Sequence, residues 1–301
     1  MGAYSGAMNI LSGESRRGIL TVVVAAVAVS WAAIFVRFAQ APPLVVAFYR
    51  MLSAVLVLSP WAVGIGRKSF RTFDVRDLRW TVLSGAFLAL HFAFWISSLS
   101  YTPVANSVML VSTAPIFAAV LSHLILKERP HPLSYVAIMV ALSGGGIIMG
   151  GDLQWAPDQL LGDMLALIGA AAVAGYFMIG RLVQRRMAVF PYIFATYGVC
   201  AVFLGVFVAL SGNSFTGYPP LTWLWFFLLG LVASVIGHSL YNRALRFFKA
   251  HVVGSCVLGE PVGATILAYF FLAEIPPWYA FLGAIPIFAG VAWVFYLERN
   301  R

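Results

Sequence analysis

Charged residues are scarce in this sequence. Asp, Glu, Lys and Arg make up only 10% of its 301 positions, whereas 62% are hydrophobic. A soluble domain carries about 25% charge, so a water-soluble fold has no means of covering this much apolar surface. Lipid can solvate it, and inside lipid the backbone pairs all of its polar groups only in helices or closed barrels.

Cysteine and the common catalytic motifs are also scarce or missing. Cys200 and Cys256 lie in separate apolar segments without a CxxC pattern, so neither a disulfide framework nor a metal site is indicated. No G-x-x-x-x-G-K-[ST] loop occurs, which argues against ATP hydrolysis and implies no ATPase partner. An intramembrane enzyme needs a carboxylate pair, a metal cluster or a nucleophile with its base, and a channel usually shows rings of one residue type. The spans contain one central carboxylate and dispersed histidines, and no such ring is visible. We therefore expect no catalytic residues and no cofactor.

Apolar runs fill most of the chain. Each is about 20 residues long, the length of a membrane-spanning helix and about twice that of a barrel strand. They predict ten spans, at residues 18–38, 43–64, 79–99, 103–126, 132–150, 161–181, 190–211, 222–245, 251–273 and 277–297. The sequence therefore predicts an all-α polytopic membrane protein that lies in a lipid bilayer.

The basic residues follow the alternation of the predicted spans. All 19 Lys and Arg residues except Arg37 and Arg50 fall on the side of the N-terminus, while the loop between spans 5 and 6 carries Asp152 and Asp158 and no basic residue. Basic loops face the cytoplasm, so both termini are predicted to be cytoplasmic. The net charge of +9 thus reflects topology, and no nucleic-acid partner is expected.

The two halves of the chain are related in sequence. A shift of 146 residues, the separation of Pro115 and Pro261, superimposes spans 4 and 5 on spans 9 and 10. It matches Pro115 with Pro261, Glu128 with Glu274, and Gly144 with Gly290. Because each half holds five spans, the second half crosses the membrane in the opposite sense, an inverted repeat typical of alternating-access transporters. We predict an N-terminal segment, 1–17, and two five-helix repeats, 18–154 and 155–301, around a central cavity.

Glu128 and Glu274 each end a span and precede prolines of the next one, which are Pro130 and Pro132 in the first half and Pro276 and Pro277 in the second. An anion is disfavoured at a helix C-terminus and favoured at an N-terminus. We therefore predict that each carboxylate caps the following span, with a role in gating as the alternative.

Pro115 and Pro261 lie near the middle of spans 4 and 9. Each removes the hydrogen bond to the carbonyl four residues earlier, at Val111 and Val257. Interrupted helices at corresponding places in two halves point to the central site of a transporter. A simple packing kink is the alternative, because transmembrane helices tolerate proline.

Two half-motifs resemble the drug/metabolite transporter superfamily, in its EamA-type branch. They run from Ala114-Pro115 through Leu126-Lys127-Glu128 to Gly144, and from Gly259-Glu260-Pro261 through Leu272-Ala273-Glu274 to Gly290; Ser30-Trp31 and Phe48-Tyr49-Arg50 also fit the pattern. The resemblance covers nearly the whole chain. It implies ten helices in inverted repeats in a bacterial inner membrane and export of amino acids, or of other small solutes or drugs. Within the branch the chain is similar to YddG-type exporters of aromatic and neutral amino acids, although His91 and Ser112 stand where those exporters tend to have tyrosines.

Candidate solute-binding residues are polar or aromatic groups within the spans. His91 and Trp95 share one face of span 3, where the imidazole fits either solute binding or an interhelical hydrogen bond. Ser112 lies one turn before Pro115, where the break leaves backbone groups without partners. The other candidates are Ser30 and Trp31 in span 1, Tyr176 in span 6, and His238 and Tyr241 in span 8. Tyr176 follows from the resemblance, and His238 and Tyr241 equally fit packing or interface anchoring. This mostly aromatic set favours a neutral or zwitterionic solute.

Two charged residues lie within the spans. Glu260 is the only carboxylate near the middle of any span, and it would be costly there if charged and unpaired. It fits proton coupling, or a structural role in which a protonated carboxyl serves a carbonyl at the Pro261 break. Arg50, in the outer half of span 2, fits attraction of a solute carboxylate or snorkelling to the outer interface, and we predict snorkelling.

Overall fold

A computed structural model of the protein is helical throughout the part of the chain that it describes. The described residues are 13–64, 70, 74–102, 104–127, 130–150, 157–184, 186–273 and 278–298, and no strand occurs among them. This confirms the predicted all-α fold class. Glu128, Glu274, Pro276 and Pro277 lie outside the described residues, as does Asp152, so the proposed capping of spans 5 and 10 stays a prediction.

Within the described residues, the helices group into ten segments that correspond to the ten predicted spans. Spans 1 to 5 are Gly13–Ser30 with Ala32–Ala39, Pro43–Val63, Val75–Ser98, Val104–Val111 with Ala114–Leu121 and Ser122–Leu126, and Pro132–Gly150. Spans 6 to 10 are Pro157–Val183, Val189–Leu210, Pro220–Leu228 with Leu229–His238 and Ser239–Ala244, Ala250–Val257 with Glu260–Leu272, and Trp278–Glu298. The first span begins several residues before the position predicted from hydropathy, because its first turn is polar.

The lengths and surfaces of these helices fit a bilayer. Within the described ranges, nine helices are long and apolar enough to cross a membrane, and the apolar part of span 5, Pro132–Ile147, is somewhat shorter. Large apolar side chains point outward, and Leu20, Leu56, Val202, Phe270 and Phe281 are each at least 60% exposed. Such a continuous apolar surface is unfavourable in water and is compatible with lipid. The chain is therefore a multi-pass membrane protein.

Spans 4 and 9 are interrupted at corresponding positions. The half-helices end and begin at Val111 and Ala114 in span 4, and at Val257 and Glu260 in span 9. Val111 corresponds to Val257 and Ala114 to Glu260 at the shift of 146, so both breaks fall at the same place in the repeat. Pro115 and Pro261 cause both breaks, because a proline nitrogen cannot donate into the preceding turn.

The same two spans also end alike. Lys127 and Ala273, which correspond at the shift of 146, both have φ 54° in the left-handed region. Such a residue commonly terminates a helix, although glycine is the usual choice because a Cβ is disfavoured there. The repeat seen in the sequence is thus also a repeat of backbone conformation.

Span 8 differs from its neighbours in its winding. Its central segment, Leu229–His238, is a π helix. The wider turn leaves backbone groups less regularly paired and is frequent at functional sites. Ser234 and His238 lie on this segment, and both side chains point into the bundle interior, where they are 0% and 4% exposed.

Candidate solute-binding site

A small cavity of about 20 Å³ lies among spans 1, 3, 4, 6, 8 and 9. These spans form three pairs that correspond in the two halves, namely 1 with 6, 3 with 8, and 4 with 9. The lining residues are Val29, His91, Trp95, Val111, Val173, Phe177, His238, Tyr241, Val257 and Glu260. A water molecule needs about 10–15 Å³, so the cavity has room for a water and not for a metabolite.

The two repeats contribute matching positions to this cavity. Trp95 of span 3 corresponds to Tyr241 of span 8, and Val111 of span 4 corresponds to Val257 of span 9, both at the shift of 146. Glu260 has no such match, because its counterpart is Ala114. The cavity therefore has one carboxylate, supplied by the second half alone.

Glu260 is the first residue of the second half-helix of span 9 and is 9% exposed. Within the described chain its hydrogen-bond partner is the Tyr241 hydroxyl, which donates to Oε1 over 3.5 Å. This bond is long and weak, so the carboxyl keeps most of its capacity for a proton or a solute.

His91 both lines the cavity and bonds to another span. Its Nδ1 lies 2.9 Å from the carbonyl oxygen of Gly169 in span 6, so Nδ1 carries the donated proton in the neutral ring and Nε2 remains an acceptor. The ring stacks on Trp95, with centroids 5.9 Å apart and planes 3° apart. The two roles that the sequence left open for His91 are therefore compatible.

His238 faces His91 across the cavity. The two ring centroids are 6.2 Å apart. The Nδ1 of His238 and the indole Nε1 of Trp95 are both buried, and neither has a hydrogen-bond partner among the described residues. A buried polar atom without a partner is costly, so both atoms are available to a bound solute.

The prediction that Arg50 snorkels to the outer interface is wrong. Its side chain is 0% exposed and lies inside the bundle. Nε donates to Ser234 Oγ over 2.8 Å, and Cζ lies 4.1 Å from the ring centroid of Phe92. The contacts with Ser234, Phe92 and Trp95 hold the guanidinium inside the bundle, and stacking on aromatic faces partly replaces its hydration.

Tyr176 lies behind the cavity wall. It is fully buried, and its hydroxyl accepts a hydrogen bond from Asn242 Nδ2. Asn242 also donates to the carbonyl of His238 over 2.8 Å. Tyr176 and Asn242 therefore support the segment that carries His238 and do not themselves line the cavity.

Ser112 lies where the two helix breaks meet. Its hydroxyl donates to Val108 O over 2.7 Å and lies 3.5 Å from Val257 O, the carbonyl that Pro261 leaves without its helical donor. Pro115 packs closely against Gly254, and a Cβ added at that glycine would lie 3.5 Å from the proline Cα. Ser112, Pro115 and Pro261 thus join the broken segments of spans 4 and 9 beside the cavity.

Ser30 and Trp31 lie elsewhere. They line a separate apolar groove of about 430 Å³ between spans 1, 9 and 10. Ser30 Oγ donates to Ala26 O over 2.8 Å, and the Trp31 ring packs against Phe35 and Phe271. The structure therefore does not bring these two candidates into the central cavity with His91, Trp95, His238, Tyr241 and Glu260.

Several residues of the site were not found from the sequence. The valines and Phe177 of the wall are indistinguishable from lipid-facing residues in an apolar helix, because nearly every position is hydrophobic. Asn242 had a detectable signal, since an amide within a span must find partners. Among the described residues, no group of three His, Cys, Asp or Glu side chains is arranged to hold a metal ion.

Comparisons with known proteins agree with this architecture. The sequence model described as the EamA-like transporter family matches residues 16–150 and 160–296. A solved crystal structure superimposes with a TM-score of 0.75 over 95% of this chain and 98% of that chain, at 19% identity. At that identity the likeness establishes the fold alone.

Similar sequences carry transporter names. An uncharacterized transporter of Bacillus subtilis, YxxF, is 24% identical over 94% of this chain and 91% of its own length. An uncharacterized transporter of Archaeoglobus fulgidus is 25% identical over 83% of this chain and 86% of its own length. A riboflavin transporter of Brucella anthropi is 25% identical over 48% of this chain and 49% of its own length.

Proposed function

This chain belongs to the EamA-like transporter family, and from that premise we propose that it is a secondary transporter that exports small zwitterionic metabolites, chiefly aromatic or neutral amino acids. It moves them across the cytoplasmic membrane by alternating access, with both termini in the cytoplasm. Two inverted halves that meet at a central cavity support this mechanism, because each half can exchange its conformation with the other.

The observation that carries the proposal is the position of Glu260. A buried acid lines a cavity that is otherwise formed by valines, aromatic rings and two histidines. Such a carboxyl within a membrane marks a solute or proton pathway. The apolar and aromatic wall suits an uncharged solute side chain, and the carboxyl suits an ammonium group.

Glu260 couples transport to protons in this proposal. The carboxyl holds either a proton or the ammonium group of the solute, and the two compete for the same oxygen atoms. A proton that enters from outside displaces the solute there and is released to the cytoplasm when the next solute binds. Export of the solute is thereby exchanged for entry of a proton.

The small cavity volume implies movement of the helices during transport. Room for about one water means that a solute enters only when the walls separate. The breaks at Pro115 and Pro261 allow this, because the half-helices on either side are not joined by a continuous hydrogen-bond ladder. We propose that the half-helices of spans 4 and 9 tilt in turn to open each face.

Counterflow in proteoliposomes tests the transport activity. Purified protein is reconstituted with unlabelled solute inside, and saturable entry of labelled solute is measured over a panel of amino acids, nucleosides, cationic drugs and riboflavin. Riboflavin is included because one relative carries that name. A carrier gives saturable counterflow and a channel does not, so linear entry of every solute would reject the proposal.

A pH gradient tests the role of Glu260. We expect wild-type vesicles to accumulate an amino acid uphill when the gradient is imposed, and Glu260→Gln to lose this accumulation. Asp158, an exposed acid at the start of span 6, provides the matched control, and Asp158→Asn keeps the wild-type response. Uphill accumulation by Glu260→Gln at the wild-type rate would show that protons couple elsewhere.

A further inference from the structure

Arg50 has more hydrogen-bond donors than the protein uses. A guanidinium carries five N–H donors and no acceptor. Only Nε has a partner, Ser234 Oγ at 2.8 Å, and neither Nη1 nor Nη2 has one among the described residues although the side chain is fully buried. A buried cation in this condition strongly favours an incoming acceptor.

The guanidinium lies beside the cavity. Its Cζ is 5.8 Å from the ring of Trp95, which lines the cavity directly. Its hydrogen-bond partner Ser234 precedes the cavity-lining His238 by one turn of span 8. Arg50 therefore contacts Trp95 of the cavity wall and, through Ser234, the turn of span 8 that precedes His238.

Trp95 adds a second donor at this end of the site. Its indole Nε1 is buried without a hydrogen-bond partner in the described part of the chain. Indole N–H and guanidinium N–H groups can only donate. A ligand that satisfies both must therefore present acceptor oxygens, and a negative charge on those oxygens is favoured by the cation.

We propose that Arg50 and the indole N–H of Trp95 bind the carboxylate of the transported solute. A carboxylate matches the two terminal nitrogens of a guanidinium with two parallel hydrogen bonds and offers a further lone pair to the indole. This inference rests on the proposed function and specifies its substrate class, a solute with a free carboxylate.

The proposal also sets the orientation of the solute. With its carboxylate at Arg50 and Trp95, an α-amino acid can direct its ammonium group to Glu260, which lines the same cavity as Trp95. The side chain then lies against Phe177 and the valines of the wall. Arg50 and Glu260 thus provide the two poles that a zwitterion requires.

The test compares solutes that differ only at the carboxylate. Counterflow of labelled phenylalanine, phenylalaninamide and phenethylamine is measured in wild-type protein, Arg50→Met, Trp95→Phe and the control Arg37→Met. Arg37 is an exposed arginine of span 1, so its replacement removes one positive charge at a position outside the site. Met replaces a buried charge with a flexible apolar chain of similar reach, which membrane interiors tolerate.

We expect wild-type protein and Arg37→Met to prefer phenylalanine over both analogues. In Arg50→Met the half-saturation concentration for phenylalanine rises about tenfold or more, because bonds between charged groups are the stronger ones. Arg50→Met also loses the preference of the wild type for phenylalanine over phenylalaninamide. Trp95→Phe, which keeps the aromatic wall, raises the half-saturation concentration severalfold for phenylalanine and less for the amide, because an uncharged carbonyl forms the weaker hydrogen bond.

The outcomes separate this inference from the proposed function. Equal exchange of phenylalanine and its amide by wild-type protein, or a preference that persists in Arg50→Met, overturns the role of Arg50 and leaves the transporter intact. Exchange confined to panel solutes without a carboxylate does the same. Absence of saturable exchange for every solute in the panel overturns the proposed function, and the carboxylate site with it.

Discussion

Gly144 and Gly290 occupy corresponding positions in spans 5 and 10, and each lies against the backbone of the opposite helix. A Cβ on Gly144 would be 2.2 Å from the carbonyl oxygen of Gly283, and one on Gly290 would be 2.4 Å from that of Ala137. Ala137 and Gly283 also correspond at the shift of 146. The two helices therefore meet about a pseudo-two-fold axis, with the same contact made twice.

This contact predicts that neither glycine tolerates a methyl group. In Gly144→Ala or Gly290→Ala the helices must separate, because the obstructing atoms are backbone and cannot rotate away. We expect a loss of about 1–3 kcal/mol in the free energy of unfolding, the usual cost of overpacking. Thermal unfolding of detergent-purified protein, followed by circular dichroism, measures it.

Gly146 provides the control for this prediction. It lies on the same helix, and a Cβ there would meet no atom within 4 Å. Gly146→Ala should therefore be neutral or stabilising by about 1 kcal/mol, since alanine is the better helix former. Equal unfolding midpoints for Gly144→Ala and Gly146→Ala would show that the close packing of spans 5 and 10 contributes no stability.

The fold was largely predictable because the bilayer restricts the possible answers. Hydropathy gave ten helices, and the match of Pro115 with Pro261 located both helix breaks, since proline acts on its own backbone whatever its surroundings. The winding of span 8 was not predictable. A π helix depends on how Ser234 and His238 pack against other spans, and no local pattern encodes that packing.

The predictions for the site were less complete for a similar reason. His91, Trp95, His238, Tyr241 and Glu260 reached the cavity, because polar and aromatic groups in a span usually face the interior. Ser30 and Tyr176 are also buried, but Ser30 bonds to Ala26 of its own helix and Tyr176 bonds to Asn242. The burial of Arg50 depends on contacts with Phe92 and Ser234, which lie in different spans and are remote in sequence.

The break in span 9 gives a second prediction, on the transport rate. Pro261→Ala restores an amide N–H that can donate to Val257 O, so the two half-helices join into a continuous helix. One added hydrogen bond is worth about 1 kcal/mol, so we expect the rate of counterflow to fall about fivefold. Initial rates at saturating solute measure the change, and the unfolding midpoint should stay the same or rise.

A proline outside the site serves as control. Pro60 lies inside span 2 with an exposed side chain, so Pro60→Ala also repairs a helix but leaves the cavity untouched. Its transport rate should match that of the wild type. A Pro261→Ala protein that transports as fast as Pro60→Ala would show that the break in span 9 is a packing kink and has no part in the movement.

Glu298, the last residue of span 10, connects three spans. Its Oε1 accepts hydrogen bonds from the backbone N–H of His131 and from Ser134 Oγ, both at 2.8 Å, at the start of span 5. Its Oε2 pairs with Lys249 Nζ at 2.9 Å, just before span 9. The His251 ring lies 3.2 Å from Oε1. The side chain is only 2% exposed, so water cannot replace these partners.

Loss of this carboxylate should therefore destabilise the protein without changing its solute specificity. Glu298→Gln keeps the size of the side chain but weakens several charge-assisted bonds at once, and we expect the free energy of unfolding to fall by about 1.5–3 kcal/mol. Asp158→Asn, at an exposed acid, should change it by less than about 0.5 kcal/mol. The half-saturation concentration for phenylalanine should be the same in both variants, because Glu298 does not line the cavity. A Glu298→Gln protein with wild-type stability but altered solute affinity would instead place this cluster in the transport movement, since only a contact that forms and breaks during the cycle affects binding while leaving the resting fold unchanged.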